Sequence, residues 1–420
     1  MTTMTTVAKR LRPILFIAIG LLLASAIPAD AHGERAQEAF LKMRTVGWVG
    51  VGYEGGETRE GESGNDEIFI EQGETVTVTG TATLMDQWPN TLAGGDPRTG
   101  FINIIAPGPV ITVREKTING VSAPHRIEIE KGGIYEFEMT LAGRTVGRWH
   151  VHPAFSVKGA GTLLGPGAWV NVTENPDYTN EVRLADGGTI NLENYELPFV
   201  WIYSTITFVL GMGWMFYWTL RKRTVQNLAV TSQIPLNTDG MNVGLITKAD
   251  HRNMNWFLVA ALVVTIGGFV YQIVVWPDKI PQQVIEFAPP AADVPELAEA
   301  QGVESRFDAD SNTVTLTFEV TNTSEDDLEI AEFTTSTLRF VNPDVTAPTG
   351  QAAEMIVEPS GSIGAGDTEE VTLTLEDDRW STDQLIPTAE SQLEISGLVV
   401  LEGGDESGFV EVHAPLVTEF

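Results

Sequence analysis

Hydrophobic and polar positions along this 420-residue chain follow two patterns, one of period two and one of long apolar runs. Strict alternation occupies 75–83, 126–130 and 135–139, and returns at 313–320 and 370–375. Successive side chains of a strand point to opposite faces, so this alternation predicts half-buried strands. Gly and Pro punctuate the intervening segments, and the expected fold is mainly β, with antiparallel sandwiches on either side of a central apolar region. That region holds two uncharged runs, Pro198 to Leu220 and Asn255 to Trp276. As helices each would extend roughly 33–35 Å, enough to cross a hydrocarbon core of about 30 Å. Trp201 and Trp218 sit near the ends of the first run, Trp256 and Trp276 near those of the second, as an interfacial aromatic belt requires.

A third apolar run, Ile14 to Ile27, follows Lys9, Arg10 and Arg12 and precedes the small-x-small triplet Ala29-Asp30-Ala31. This order predicts a signal peptide cleaved after Ala31. Arg221, Lys222 and Arg223 follow the first span and Lys248 and Arg252 precede the second, so the positive-inside rule makes the connecting loop cytoplasmic. Both flanking regions are then extracytoplasmic. The expected organisation is a signal peptide over 1–31, a β domain over 32–196, a transmembrane helix over 197–223, a cytoplasmic loop over 224–254, a second helix over 255–276 and a second β domain over 277–420. The Gly- and Glu-rich stretch 54–65 reads as a surface loop, and 288–299, rich in Pro and Ala, as an extended linker.

The formal net charge of −32 excludes nucleic acid as a partner, because a phosphate backbone requires a basic face. There is no cysteine, so neither disulfides nor thiolate zinc, iron–sulfur or blue-copper centres are available. No Ser–His–Asp arrangement, phosphate-cradling Gly loop or pair of catalytic carboxylates stands out.

The chain has only 6 histidines. Cleavage after Ala31 would make His32 the mature N-terminus, carrying an imidazole and a free amine. Trp149-His150-Val151-His152 supplies two more imidazoles, which share one face of a strand. Imidazole and amine donors in a tetragonal set suit copper, whereas zinc usually recruits a carboxylate or thiolate. The expected metal ligands are therefore His32, His150 and His152, and the expected cofactor is copper. His125, His251 and His413 read as ordinary solvated residues.

Several further segments carry a resemblance: His32-Gly33-Glu34, Ala39-Phe40, Met43-Arg44-Thr45, Pro107-Gly108-Pro109-Val110, Gly165-Pro166-Gly167-Ala168-Trp169, Leu192-Glu193-Asn194-Tyr195, Glu332-Phe333-Thr334 and Ala414-Pro415-Leu416. With Trp149 to His152, and with the two spans in place, the chain resembles the B subunit of the copper membrane monooxygenases, the particulate methane, ammonia and short-alkane monooxygenase family. The resemblance implies two cupredoxin-like domains and a copper site at His32, His150 and His152. It implies A and C subunits as partners, in a trimer of heterotrimers embedded in membrane lipid. It further implies insertion of one oxygen atom of O₂ into a C–H or N–H bond, with quinol as reductant.

Some methane-oxidising members hold a second copper through a histidine where this chain has Gly47, and another histidine of the family is absent from Leu84-Met85-Asp86-Gln87, so no second site is expected. The wording Trp-His-Val-His is closer to methane and alkane oxidisers. The alternatives are ammonia oxidation and a membrane-tethered copper-binding or assembly protein without catalysis. A polysaccharide monooxygenase, also built on a mature N-terminal histidine, is disfavoured by the two spans.

Overall fold

A computed structural model describes residues 39–61, 66–123, 126–183, 188–220, 247–275, 287–292, 294–346, 352–387 and 393–419. The signal segment, His32, His125 and most of the loop between the spans lie outside the described residues. The chain divides into two packed units, Met1–Tyr178 with Val284–Phe420, and Thr179–Gln283.

In the first unit, a short helix α1 (Ala39–Lys42) leads into a two-layer β domain. One sheet has the order β1 (Val46–Glu54), β4 (Thr75–Leu84), β9 (Ile134–Gly143), β6 (Ile111–Ile118) and β7 (Val121–Ser122). The other has β2 (Glu57–Glu60), β3 (Asp66–Glu71), β12 (Ala168–Thr173), β10 (Gly147–Val157), β5 (Thr99–Ile105) and β8 (Ile127–Glu128), with β11 (Gly161–Leu164) also paired to β10. The alternating positions meet between the layers, where Trp48, Val78, Ile102, Phe137, Val151 and Phe155 are buried. The expected loop at 54–65 is in part a strand: Gly55 and Gly56, both at positive φ, turn the chain out of β1 into Glu57–Glu60, which pairs with Asp66–Glu71 of the other sheet.

The layers are also joined by a buried lysine. Lys116 of β6 donates to the Ile102 carbonyl of β5 at 2.6 Å, and its ammonium lies 3.8 Å from the Phe101 ring centroid. Burial lowers its pKa from 10.5 to about 8. Between those values the unfolded chain binds more protons than the folded one, so this group makes stability rise with pH there. The Lys116→Met variant is therefore expected to unfold at an equal or higher temperature than the parent at pH 7. The difference between the two should shift in the parent's favour from pH 8 to pH 10. Thermal unfolding of both proteins across that range checks the sign.

Beyond the apolar region, β15 (Ala298–Asp308), β16 (Thr313–Asn322), β20 (Thr368–Glu376), β19 (Ala353–Glu358), β18 (Leu338–Val341), β17 (Glu329–Thr335), β21 (Leu393–Gly403) and β22 (Glu406–Glu419) close into a ring in that order. The expected antiparallel pairing holds for most neighbours, but β15–β22, β18–β19 and, in the first domain, β3–β12 are parallel. Parallel neighbours cannot be joined by a tight turn, and each of these pairs is separated in the chain by a longer connection. Phe307, Phe318, Phe333, Phe340 and Trp380, the last from the short helix α4 (Arg379–Thr382), fill the ring.

The two β domains are tied together by the chain start. Met43, directly after α1, is buried in the core of the ring. Arg44 pairs with Glu394 of β21 at 3.2 Å. The amides of Asp86 and Gln87 donate to the Glu411 carboxylate of β22 at 2.8 and 3.4 Å, and burial raises the pKa of that carboxyl. At Gly47 the space a side chain would take is filled by Leu398 and Met85. The linker is bonded near its start: Phe287, just before it, bridges to Ile127, and Asn119 donates to the Pro290 carbonyl at 2.6 Å.

The second unit contains a hairpin of β13 (Glu181–Arg183) and β14 (Thr189–Asn191), then helices α2 (Leu197–Thr219) and α3 (Lys248–Val275). Both helices are long and apolar enough to cross a membrane. Their large side chains, Trp201, Phe208, Trp256 and Phe269 among them, are exposed, as a lipid-facing surface requires. Phe199 stacks on Tyr271 at 4.2 Å, and polar pairs join the helices near both ends: Gln272 to Glu196 at 3.0 Å, and Tyr217 to Asp250 at 2.6 Å.

Candidate metal centre

The site is built on β10, which changes neighbours midway. Its residues Gly147–Val151 pair with β12, and His152–Val157 pair with β5. Val151 points into the core and is fully buried, which turns the residues on either side of it, His150 and His152, to the other face. His150 stands opposite Trp169, and His152 opposite Ile105.

The two imidazoles meet. Nε2 of His152 lies 3.1 Å from Nδ1 of His150, and Nδ1 of His152 lies 2.8 Å from the Gly165 carbonyl oxygen. A carbonyl only accepts, so the His152 proton sits on Nδ1 and its Nε2 presents a lone pair toward His150. Two imidazole nitrogens bound side by side to one ion, each at about 2.0–2.1 Å, would be roughly 3 Å apart. The observed separation, spanned here by a hydrogen bond that His150 Nδ1–H donates to His152 Nε2, is close to that distance, and binding an ion would displace this proton. Among the described residues no group of three His, Cys, Asp or Glu side chains forms a metal cage. The pair is the part of the expected set that lies within them, and His32 lies outside. His251 is on α3, in the second unit, and His413 is exposed on β22.

The turn before β12 shapes the seat. Gly165 supplies the carbonyl that holds His152, and a Cβ on Gly165 would come within 2.7 Å of the buried Trp48 ring. A Cβ on Gly167 would meet the His152 ring at 2.6 Å, so the imidazole occupies space that only glycine leaves open. Tyr53 locks the same turn to β10, its hydroxyl shared between the carbonyls of Val151 and Pro166 at 3.0 and 3.1 Å. Burial raises the pKa of that hydroxyl, which therefore stays protonated and donating.

Beside the pair, Trp169 stacks on His150 with 4.6 Å between ring centroids and 22° between planes. The Arg148 guanidinium lies 3.6 Å from the Trp169 centroid and is bonded to Glu67 through Nε at 3.0 and 3.2 Å and through a second nitrogen at 2.5 Å. Asn171 donates to the same carboxylate at 2.7 Å. Sequence reasoning missed Glu67, Arg148, Trp169, Gly167 and Tyr53 as parts of the site. Arg148 and Trp169 carried a usable signal, since Arg148 shares the face of His150 by its spacing and Trp169 sits in the segment that carried the resemblance.

Other segments of the resemblance serve the fold. Gly108 takes positive φ in the turn before β6, Phe333 fills the ring core, and the Pro415 carbonyl accepts from Ser305 at 2.9 Å.

Fold and site together define a β protein with two membrane-length helices and a pair of imidazoles organised on one strand. The sequence profile of the monooxygenase B-subunit protein family matches residues 33–420, and the chain belongs to that family. It is thus a component of a membrane monooxygenase, an oxidoreductase. A curated relative, the particulate methane monooxygenase alpha subunit of Methylococcus capsulatus (strain ATCC 33009 / NCIMB 11132 / Bath), is 26% identical over 427 residues, covering 96% of this chain and 97% of that protein. Among solved structures, the cupredoxin domain of amoB from Nitrosocaldus yellowstonii aligns with 25% of this chain and 59% of its own, at 17% identity and a TM-score of 0.20, too weak a match to bear on the fold.

Proposed function

We propose that this chain is the copper-binding B subunit of a membrane complex that oxidises methane or a short alkane with O₂ and a reductant, quinol. His150 Nδ1 and His152 Nε2 would hold copper together with the amine and imidazole of His32, on a cupredoxin-like domain outside the membrane. A and C subunits would complete the complex as a trimer of heterotrimers, and the two helices would sit in lipid. The observation that carries this reading is the 3.1 Å approach of His150 and His152, with the outer nitrogen of His152 already committed to Gly165. The similarity to a methane monooxygenase component over nearly the whole chain supports the substrate class. Copper, when bound, supplies redox chemistry toward O₂. The residues of this chain orient two imidazoles, fix the tautomer of one, and surround them with the Gly165–Trp169 turn.

The reading requires His32 at the terminus. The intact mass of the mature chain is expected to correspond to cleavage after Ala31, and copper affinity is expected to fall with pH. The α-amine titrates at roughly 7.7–8.0 and must be neutral to bind, so its protonation alone should lower affinity on the order of 100-fold from pH 8 to pH 5.5. Copper titrations of the metal-depleted complex at the two pH values check this. A terminus other than His32, or equal affinity at both values, removes the amine from the ligand set.

A further inference from the structure

The face of the sheet that bears the two histidines also bears a connected series of side chains leading away from them. Glu67 on β3 is 1% exposed. It receives Arg148 of β10 and Asn171 of β12, and Arg148 lies against Trp169, which stacks on His150. The register explains the order: β3 pairs in parallel with β12, and β12 places Asn171 opposite Arg148 and Trp169 opposite His150. Glu67, Asn171, Arg148, Trp169 and His150 thus lie on one face of three neighbouring strands.

The chemistry of His150 gives this series a purpose. An imidazole lone pair lies in the plane of its ring, so Nδ1 can address the position facing His152 Nε2 only when the ring plane is correctly set. Rotation about the Cβ–Cγ bond turns the lone pair out of that direction, and a full flip replaces Nδ1 with a carbon. The ring of His152 is held by its hydrogen bond to Gly165. The ring of His150 is held against the Trp169 plane, and a stacked ring cannot rotate without losing that contact. Trp169 in turn rests on a guanidinium whose own plane is set by a doubly bonded carboxylate. Groups that orient a metal-binding imidazole from outside commonly influence affinity strongly even though they never touch the ion.

We propose that Trp169 and Arg148, anchored by the buried Glu67, are positioning residues that set the ring plane of His150 for metal binding. The inference rests on His150 and His152 being metal ligands. It concerns where their nitrogens point rather than whether they bind.

The test is Cu(II) titration of the chelator-treated complex in its membranes, with the Cu(II) electron paramagnetic resonance spectrum, unfolding temperature and subunit composition measured on the same samples. Trp169→Leu keeps apolar volume but removes the plane. It is expected to weaken copper binding about 10- to 100-fold and to alter the spectrum. Trp169→Phe keeps a stacking ring and should bind within about threefold of the parent with the parent spectrum. Arg148→Met should weaken binding by roughly tenfold. Parent affinity and spectrum in both Trp169→Leu and Arg148→Met overturn the proposal. So does an equal loss in Trp169→Phe and Trp169→Leu, or a loss that follows unfolding temperature across the series instead of the presence of the ring. Should Arg148→Met fail to assemble, the two Trp169 variants still decide. The His150→Ala, His152→Ala variant separates ligation from positioning. If it binds copper like the parent, the ligand reading fails; if it loses copper while Trp169→Leu does not, the positioning role alone fails.

Discussion

Replacing His150 and His152 together by alanine is expected to strip copper from this chain in the purified complex. The amine and imidazole of His32, left behind as the two remaining donors, cannot hold the ion against competing buffer ligands, and the lost affinity should exceed about 1,000-fold. Metal analysis and the Cu(II) signal attributable to this chain measure the loss directly. Two consequences then separate. If the copper holds the domain together, the loss will appear as a lower unfolding temperature and poor recovery of partner subunits, because the binding energy of a structural metal is folding energy. If it acts in turnover or electron delivery, the complex will assemble and oxidise its substrate far more slowly. Normal assembly with normal turnover would leave this copper neither role.

The second large effect is expected far from the histidines. Met43 is 3% exposed and packs in the core of the eight-stranded ring, although it belongs to the segment that starts the first β domain. Met43→Ala should cost about 2–5 kcal/mol, the usual range for emptying a buried methionine site. Met43→Asp should cost more, because a carboxylate would enter a hydrocarbon core without a partner. Both variants should lower the unfolding temperature of the complex by several degrees, and Met43→Asp should also expose the 288–297 linker to protease as the two β domains part. An unfolding temperature within about a degree of the parent in Met43→Asp would show that Met43 does not link the domains.

The link bears on the proposed copper site as well. The chain runs from His32 to Met43 in eleven residues, and Met43, Arg44 and the stretch that follows are seated on the ring by the Arg44–Glu394 pair and by the packing of Gly47 against Leu398. At Gly47 the side-chain space belongs to Leu398 of the ring and to Met85 of the first domain.

Much of the architecture was legible in the sequence. Alternation at 75–83, 135–139, 313–320 and 370–375 located strands that the structure contains, because burial of one sheet face imposes period two on each strand separately. The short alternating run at 126–130 was less informative; only Ile127–Glu128 pair there, opposite Gly100 and Thr99 at the very start of β5. The two apolar runs located α2 and α3, although α3 begins at Lys248, earlier than the uncharged run, because a helix can carry charges on its first turns beyond the apolar stretch. The common face of His150 and His152 was equally legible, being a property of a single strand.

What sequence alone determined, then, are the local quantities: which segments alternate, which are long and apolar, and which side chains share a strand face. Each follows from the geometry of one element and needs no knowledge of its neighbours. Tertiary structure decided everything that depends on register between distant strands. It closed the second domain into a ring, buried Met43 in the domain it does not belong to by sequence, and changed the partner of β10 between Val151 and His152. It also brought Gly165 to His152 and Trp169 to His150, and joined Arg148 to Glu67 across 81 residues. Those pairings are chosen by the packing of whole sheets, and a one-residue change of register would turn every one of these side chains to the opposite face.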